Sequence, residues 1–424
     1  MKKTLFIVSA SVISAGLLGQ TADSLLLKDC IRAVEQRSPL NKQKTLSGEA
    51  LAFRLKNLTS DWLPSVGFNA QASYNSETVD FSDVMKNLPV SIPSLPLDQY
   101  KIWADINQQL YDGGLVRSRK SMERATYEAD IQEAETGITS IKQQVNQAYF
   151  MLLITRMSME VLQVSLDELV EREKVISAGV KNGVLLPENL LSIDAEELKY
   201  KQRLVELTLA RQQQVKILSV LMDTTISENA TFTQPEEPQE MNQQIERPEY
   251  ELFDKQKERL KANQDLVNAS DMPHFFAYSQ GAYGRPGYNI VSQKFHPYYS
   301  VGIGMKWNFL NYGDSRRQKK MFEIQKSMVD IKRKTFDDQL DIQLSAEKAN
   351  QIKYSELLKQ DEDILKLRKA ITAASFSKLT NGIITSTDYL SEFNNELLAK
   401  LQFENHKILK LQAEYNYLLL QGKL

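Results

Sequence analysis

From Gly114 to Asn182-Gly183, and again from Gly313 to Asn381-Gly382, apolar and polar residues recur at helical spacing through 69 residues without a proline. Proline and glycine are the strongest helix breakers, so each stretch predicts one unbroken helix. At about 1.5 Å per residue such a helix is roughly 100 Å long, several times the usual length in a globular domain. In the first, Ile131, Ala134, Ile138, Ile141, Val145, Ala148, Leu152, Thr155, Met159, Leu162, Leu166 and Leu169 alternate at three and four residues. That is a coiled-coil seam, made to lie along another helix. The second stretch carries the same pattern less cleanly.

A different period precedes each long helix. In 300–309 the odd positions are Val301, Ile303, Met305, Trp307 and Phe309, and the even ones Ser300, Gly302, Gly304, Lys306 and Asn308. In 102–110, Ile102, Ala104, Ile106 and Leu110 face away from Trp103, Asp105, Asn107 and Gln109. Side chains on a strand point alternately to its two faces, so each segment has one oily and one polar face. Strands of this kind suit a membrane barrel with a wet lumen, and equally a soluble sheet packed on a core.

The two halves superpose as a tandem duplication. Ser38-Pro39-Leu40 matches Arg247-Pro248-Glu249 and Leu63-Pro64 matches Met272-Pro273 at an offset of 209; from Tyr100 against Tyr299 onward the offset is 199. The ten residues lost between lie in the proline- and serine-rich 75–99 stretch, which has loop composition. Residues 1–20 read as a signal peptide, 21–222 as the first repeat, 223–246 as an acidic, proline-bearing connector, and 247–424 as the second repeat. Each repeat runs helix, strand, strand, long helix, helix. In the first, the opening helix covers Ser24 to Ser60 with an interruption at Pro39, the strands cover 66–74 and 100–110, and the closing helix covers Pro187 to Met222. The second has strands at 275–283 and 299–309. Four strands cannot close a membrane barrel, which takes about eight. An open sheet edge cannot sit in lipid because its backbone groups would be unpaired. If the strands cross a membrane, the protein is an oligomer.

Composition narrows the class. The chain has a net charge of −2, is 25% charged, and holds 17 glycines and 12 prolines in 424 residues, which suits long helices and gives no general pull toward nucleic acid. Lys2-Lys3 followed by the apolar run Leu5 to Leu18 has the form of a secretory signal. After it, no run approaches the roughly 20 apolar residues of a membrane-spanning helix. Cys30, the only cysteine, makes no intrachain disulfide, lies too far from the signal core for lipid attachment, and reads as a buried helix residue. His274, His296 and His406 are isolated, and no catalytic, phosphate-binding or metal-ligand motif occurs. No enzyme activity and no cofactor or metal are expected.

Taken together, Leu26-Leu27-Lys28-Asp29-Cys30-Ile31 with Ser38-Pro39-Leu40, Trp62-Leu63-Pro64-Ser65, Arg247-Pro248-Glu249, Asn311-Tyr312-Gly313, and Asn381-Gly382 followed by Asp388-Tyr389-Leu390 resemble the TolC-type outer-membrane factors. Each motif is weak alone; their order and spacing are specific and cover the whole mature chain. The resemblance implies a mainly α protein with a small β part. Three copies would share a 12-stranded outer-membrane β-barrel, continued by a long periplasmic α-helical coiled-coil barrel. The implied function is a passive exit duct for a tripartite efflux pump or type I secretion system, with a periplasmic adaptor protein and an inner-membrane transporter as partners. The competing class is a non-conducting periplasmic coiled-coil scaffold, for which an oily outer belt would have no use.

The same resemblance implies roles for particular residues. The turns Asn182, Gly183, Val184 and Asn381, Gly382, Ile383 would form the periplasmic tips and meet the adaptor; glycine there also permits a tight reversal. Asp388 and Ser391 fall at two positions that ring the closed periplasmic aperture in the family, where both are acidic. The serine, with Glu392 beside it, and Ile384 at a position that is basic in some members, depart from the family's gate. Arg117, Arg119, Lys120 and Arg124 open the first long helix, and Arg316, Arg317, Lys319 and Lys320 the second. Cations at a helix N-terminus oppose the macrodipole. In the implied geometry they lie below the barrel, beside the lipid phosphates of the inner leaflet.

Overall fold

The computed structural model describes residues 24–79, 94–238, 244–290 and 292–424. The signal peptide expected at 1–20 and part of the connector lie outside them. In chain order the elements are β1 Ser24–Leu25, α1 Leu27–Arg37, α2 Pro39–Ser60, β2 Ser65–Tyr74, β3 Asp98–Tyr111, α3 Leu115–Lys181, α4 Pro187–Leu221, β4 Thr231–Phe232, α5 Pro248–Ser270, β5 His274–Arg285, β6 His296–Lys306, α6 Asp314–Thr380 and α7 Ser386–Gln421. Both long helices, 67 residues each, form unbroken. Proline divides the opening helix as expected: Ser38 leaves helical geometry and α2 starts on Pro39, whose ring suits a first helical position.

The chain forms two compact units, one of the chain up to Ser38, Ser140–Gln244 and Leu344–Leu424, the other of Pro39–Thr139 and Ile245–Gln343. The division falls inside both long helices. In the first unit the seam of α3 is covered: Val145, Leu152, Leu162 and Leu169 are 0–3% exposed, and Met159 is half-buried. Leu166, Leu169, Ile176, Ile193, Tyr200, Leu379, Tyr389 and Phe393 form one apolar cluster from α3, α4, α6 and α7. Cys30 is fully buried in α1. Burial, reinforced by Asp29, pushes its thiol up to about 12, so it stays protonated and unreactive. The connector expected to be irregular contains a short strand, β4, which pairs in parallel with β1 (Ser24↔Thr231, Leu25↔Phe232). The Tyr149 hydroxyl lies 2.8 and 2.6 Å from the carbonyl oxygens of Leu25 and Thr233, and its ring meets Phe232 edge-on.

The second unit holds an antiparallel sheet in the order β2-β3-β5-β6. Hydrogen bonds and ion pairs join neighbouring helices: Arg54 with Glu123 at 3.3 Å and Lys44 with Glu135 between α2 and α3, and Gln264 with Glu323 at 2.6 Å between α5 and α6. The strand expected at 299–309 is corrected at its end. β6 stops at Lys306 because its partner β5 begins at His274, the last paired couple being His274↔Lys306. Pro273, just before, has no N–H to extend the ladder.

Candidate functional site at the helix turns and on the sheet

Each long helix ends in the same hydrogen-bonded reversal. Gly183 donates its N–H to Val180 and Val184 to Gly179 (3.1 and 2.9 Å); Gly382 donates to Leu379 and Ile383 to Lys378 (2.9 Å each). This pair of bonds defines the Schellman motif, which needs a left-handed residue after the cap. Glycine supplies it, with φ of +73° at Gly183 and +68° at Gly382. Asn182, Val184, Asn381 and Ile383 are exposed beside the glycines. The two turns lie together in the first unit: the N–H of Ser386 donates to Asn189 Oδ1 at 2.9 Å, and a Cβ on Gly382 would stand 3.9 Å from the Val184 carbonyl oxygen.

Asp388 has a local task in this arrangement. Its N–H donates to Thr385 Oγ1, and its carboxylate accepts from the Thr385 N–H (3.0 Å) and hydroxyl (2.7 Å), closing a capping box at the start of α7. The Thr-x-x-Asp spacing was a visible sequence signal for this. The hydroxyl, then the backbone N–H, of Thr385 hold the carboxyl below the usual carboxylate range. The sign follows from linkage: a depressed folded-state pKa stabilises above the ordinary carboxylate range, and that contribution is lost as pH falls through the depressed value. In hydrogen exchange, Asp388→Asn should speed the amides at 385–389 at neutral pH, and the difference from the parent should vanish in acid. Equal protection at neutral pH would remove the box as a stabiliser.

Ser391, one turn along α7, is exposed. Glu392 is drawn away to α6, accepting from Arg368 at 3.1 Å while its carbonyl accepts from Thr372. Ile384 packs on the apolar cluster beneath the turns. Sequence reasoning missed a neighbouring clasp: Tyr200 on α4 donates to Asn394 Oδ1 on α7 (2.7 Å), and Asn394 donates back to Glu196 on α4 (3.0 Å). No sequence spacing could have paired residues nearly 200 positions apart.

The basic residues belong to the second unit. Arg119 pairs with Asp61 at 3.7 Å and Lys120 donates to Thr59 Oγ1 at 2.7 Å, whereas Arg117 and Arg124 are exposed without a protein partner among the described residues. Arg317 donates to the Tyr312 carbonyl at 2.9 Å; the Lys319 carbonyl accepts from Gln264 at 3.2 Å, but the side chains of Arg316, Lys319 and Lys320 make no hydrogen bond or ion pair among the described residues, Lys320 only lying near Glu323.

The sheet separates its two faces as the alternation predicts. Val66, Phe68, Tyr299, Val301, Ile303 and Met305 lie on one face and are more than half exposed. On the other, Asp105 accepts from Asn69 (2.7 Å), Trp103 (2.8 Å) and Gln280 (2.7 Å), and Lys101 donates to Gln280 (3.1 Å) while lying over the Trp103 ring. Phe276 and Tyr278 also lie on this polar face, their rings over Gly304 and Gly302, where a Cβ would collide with them.

Residues 54–222 match the family described as Outer membrane efflux protein. No curated protein matches the chain. Among solved structures, the outer membrane protein VceC from Vibrio cholerae is similar at 12% identity, with a TM-score of 0.68 over 93% of this chain and 96% of that one. The Campylobacter jejuni CmeC outer membrane channel follows at 13% identity, with a TM-score of 0.65 over 99% and 94%. The open state of the Neisseria gonorrhoeae MtrE outer membrane channel does so at 14%, with a TM-score of 0.66 over 93% and 88%. These likenesses define the class by its fold, that of outer-membrane channels. Residues 54–222 thus carry the outer membrane efflux protein domain, and nearly the whole chain takes the fold of the outer-membrane channels.

Proposed function

We propose that three copies of this chain close a 12-stranded barrel in the outer membrane and form an exit duct, through which substrate passes from an inner-membrane transporter and its periplasmic adaptor to the outside. The observation that carries this reading is the sheet itself. It has four strands, open edges at β2 and β6, an apolar face turned to the surroundings and a polar face knitted around Asp105. Such a sheet is stable in lipid only when its edges are paired by further copies. The helices support the same assembly. Leu191, Leu198 and Val205 on α4, seven residues apart, and Ile331, Ile342 and Ile352 on α6 are 59–69% exposed in a single copy, which leaves coiled-coil faces for neighbours to cover. The tandem repeat, with 21–222 and 247–424 as its halves, makes a threefold assembly quasi-sixfold.

In this duct the turns at Asn182–Val184 and Asn381–Ile383 receive the adaptor, and the aperture is bounded by Asp388 and Ser391, with one fixed negative charge per copy rather than two. Opening moves the turns apart as the partners engage. Planar-bilayer recording of protein extracted from outer membranes tests the duct. A small, mostly closed, cation-preferring conductance from a trimer is expected, and Asp388→Asn should weaken the cation preference. A protein recovered soluble from the periplasm and electrically silent would sink the duct and turn the reading to a scaffold. Val184→Asp with Ile383→Asp should abolish adaptor cross-linking and export while leaving the trimer intact, since both residues are more than half exposed. Unchanged export would remove the adaptor assignment.

A further inference from the structure

The two repeats differ where strand gives way to long helix. At the offset of 199, Gly113 corresponds to Tyr312, and both take left-handed backbone, with φ of +65° and +48°. In the first repeat the position is closed: a Cβ on Gly113 would run into Met272 and stand 3.1 Å from the Ala269 carbonyl oxygen. Asp112 is buried and accepts the N–H groups of Gly114 (2.9 Å) and Val116 (2.7 Å). Tyr111 before it is still in the sheet. In the second repeat the same backbone carries a tyrosine that is 88% exposed. A bulky residue in this region is strained, and its ring gains nothing by standing in water.

Nor is the loop slack. Asp271 Oδ1 accepts from Asn311 (3.1 Å) and Ser315 (2.5 Å), the Asp271 carbonyl accepts from the Trp307 indole (3.0 Å), and Arg317 ties the Tyr312 carbonyl. The structure thus holds Trp307, Phe309, Leu310 and Tyr312 outward, at 50%, 69%, 66% and 88% exposure, immediately ahead of the unpartnered Arg316, Lys319 and Lys320. Fixed apolar rings next to free cations complement one surface in particular, the boundary between acyl chains and phosphates.

We infer that residues 307–320 are a wedge seated in the phospholipid leaflet on the helix side of the barrel, with the rings at the acyl boundary and Arg316, Lys319 and Lys320 on lipid phosphates. In the first repeat the place of Tyr312 is taken by the closed Gly113, Leu110 and Tyr111 are only half exposed, and of its four cations Arg119 and Lys120 serve the protein while Arg117 and Arg124 stay unpaired among the described residues. This rests on the barrel reading and adds to it an unequal division of labour between two basic clusters that look alike in sequence.

Tyr312→Cys carrying a fluorophore tests it, because buried Cys30 will not take the label. The full-length protein is inserted into vesicles of phosphatidylethanolamine and phosphatidylglycerol that contain nitroxide lipids. Headgroup-proximal nitroxides should quench the label at least about twofold more than chain-end nitroxides, the shallow depth expected of an interfacial group. Leu310→Cys, which has no left-handed backbone to disturb, should repeat the result. Enrichment of phosphatidylglycerol quenchers over phosphatidylethanolamine ones should fall at least about fivefold in R316Q/K319Q/K320Q, the effect of one cation at an anionic surface. It should be unchanged in R119Q/K120Q. A label in inserted protein that is quenched by aqueous iodide, or by neither iodide nor lipid, places the loop in water or under a neighbouring copy and overturns the wedge alone. A protein that does not insert overturns the barrel reading as well.

Discussion

Gly113→Val is expected to cost on the order of 4 kcal/mol, whereas Gly183→Val, at nearly the same backbone angle, should cost only about 1–2 kcal/mol. Both replacements force a β-branched residue into the left-handed region, φ being +65° and +73°. They differ in what lies around them. A side chain at 113 must displace Met272, just past α5, and the backbone at Ala269 in its last turn, while nothing stands within 4 Å of a Cβ at 183. The added cost at Gly113 is therefore overpacking, felt where α3 starts against the end of α5. Denaturant unfolding of the purified protein, followed by hydrogen exchange in the sheet and the first turns of α3, gives the comparison. Equal losses for the two variants would mean that the junction yields easily and that Gly113 is there for backbone freedom alone.

The second large effect is expected beneath the turns. Tyr389 is fully buried among Phe376, Phe393 and the rest of the apolar cluster, so Tyr389→Ala should cost about 3–5 kcal/mol, measured as lost protection of amides near Leu169, Ile193 and Leu379. Tyr389→Phe should be neutral or stabilising by up to about 1 kcal/mol. The Tyr389 hydroxyl is buried with no hydrogen-bond partner among the described residues, and removing an unsatisfied polar group of nearly unchanged shape relieves its desolvation. Burial drives the phenol's pKa well above its ordinary value, so it stays neutral. A clear loss of stability in the phenylalanine variant would show that the hydroxyl makes a bond that matters.

Both positions illustrate how differently the chain's features could be foreseen. Long helices without proline, the seam from Ile131 to Leu169, the strand alternation and the paired Asn-Gly turns depend on local spacing and on backbone chemistry within a few residues. They were legible because helix and strand periods are written in consecutive side chains, and the duplication repeats each signal. The resemblance to the TolC-type outer-membrane factors followed from their order. The Thr385-Asp388 capping box was equally local and could have been read from Thr-x-x-Asp alone. It gives Asp388 a structural partner beside any place at an aperture.

What only the tertiary structure decided are the pairings across long separations. Asp271 holding Asn311 and Ser315, Asn394 between Glu196 and Tyr200, and β4 beside β1 join residues that share no pattern. The end of β6 at Lys306 was likewise out of reach, because a strand's length is set by where its neighbour begins as much as by its own alternation. Gly113 and Tyr312 sit at matching places in two repeats, yet one is closed by Met272 and the other opens outward. Sequence by itself determined the elements and their order, since those are chosen by local spacing and propensity. The use made of each repeated position depended on the atoms that folding brought next to it.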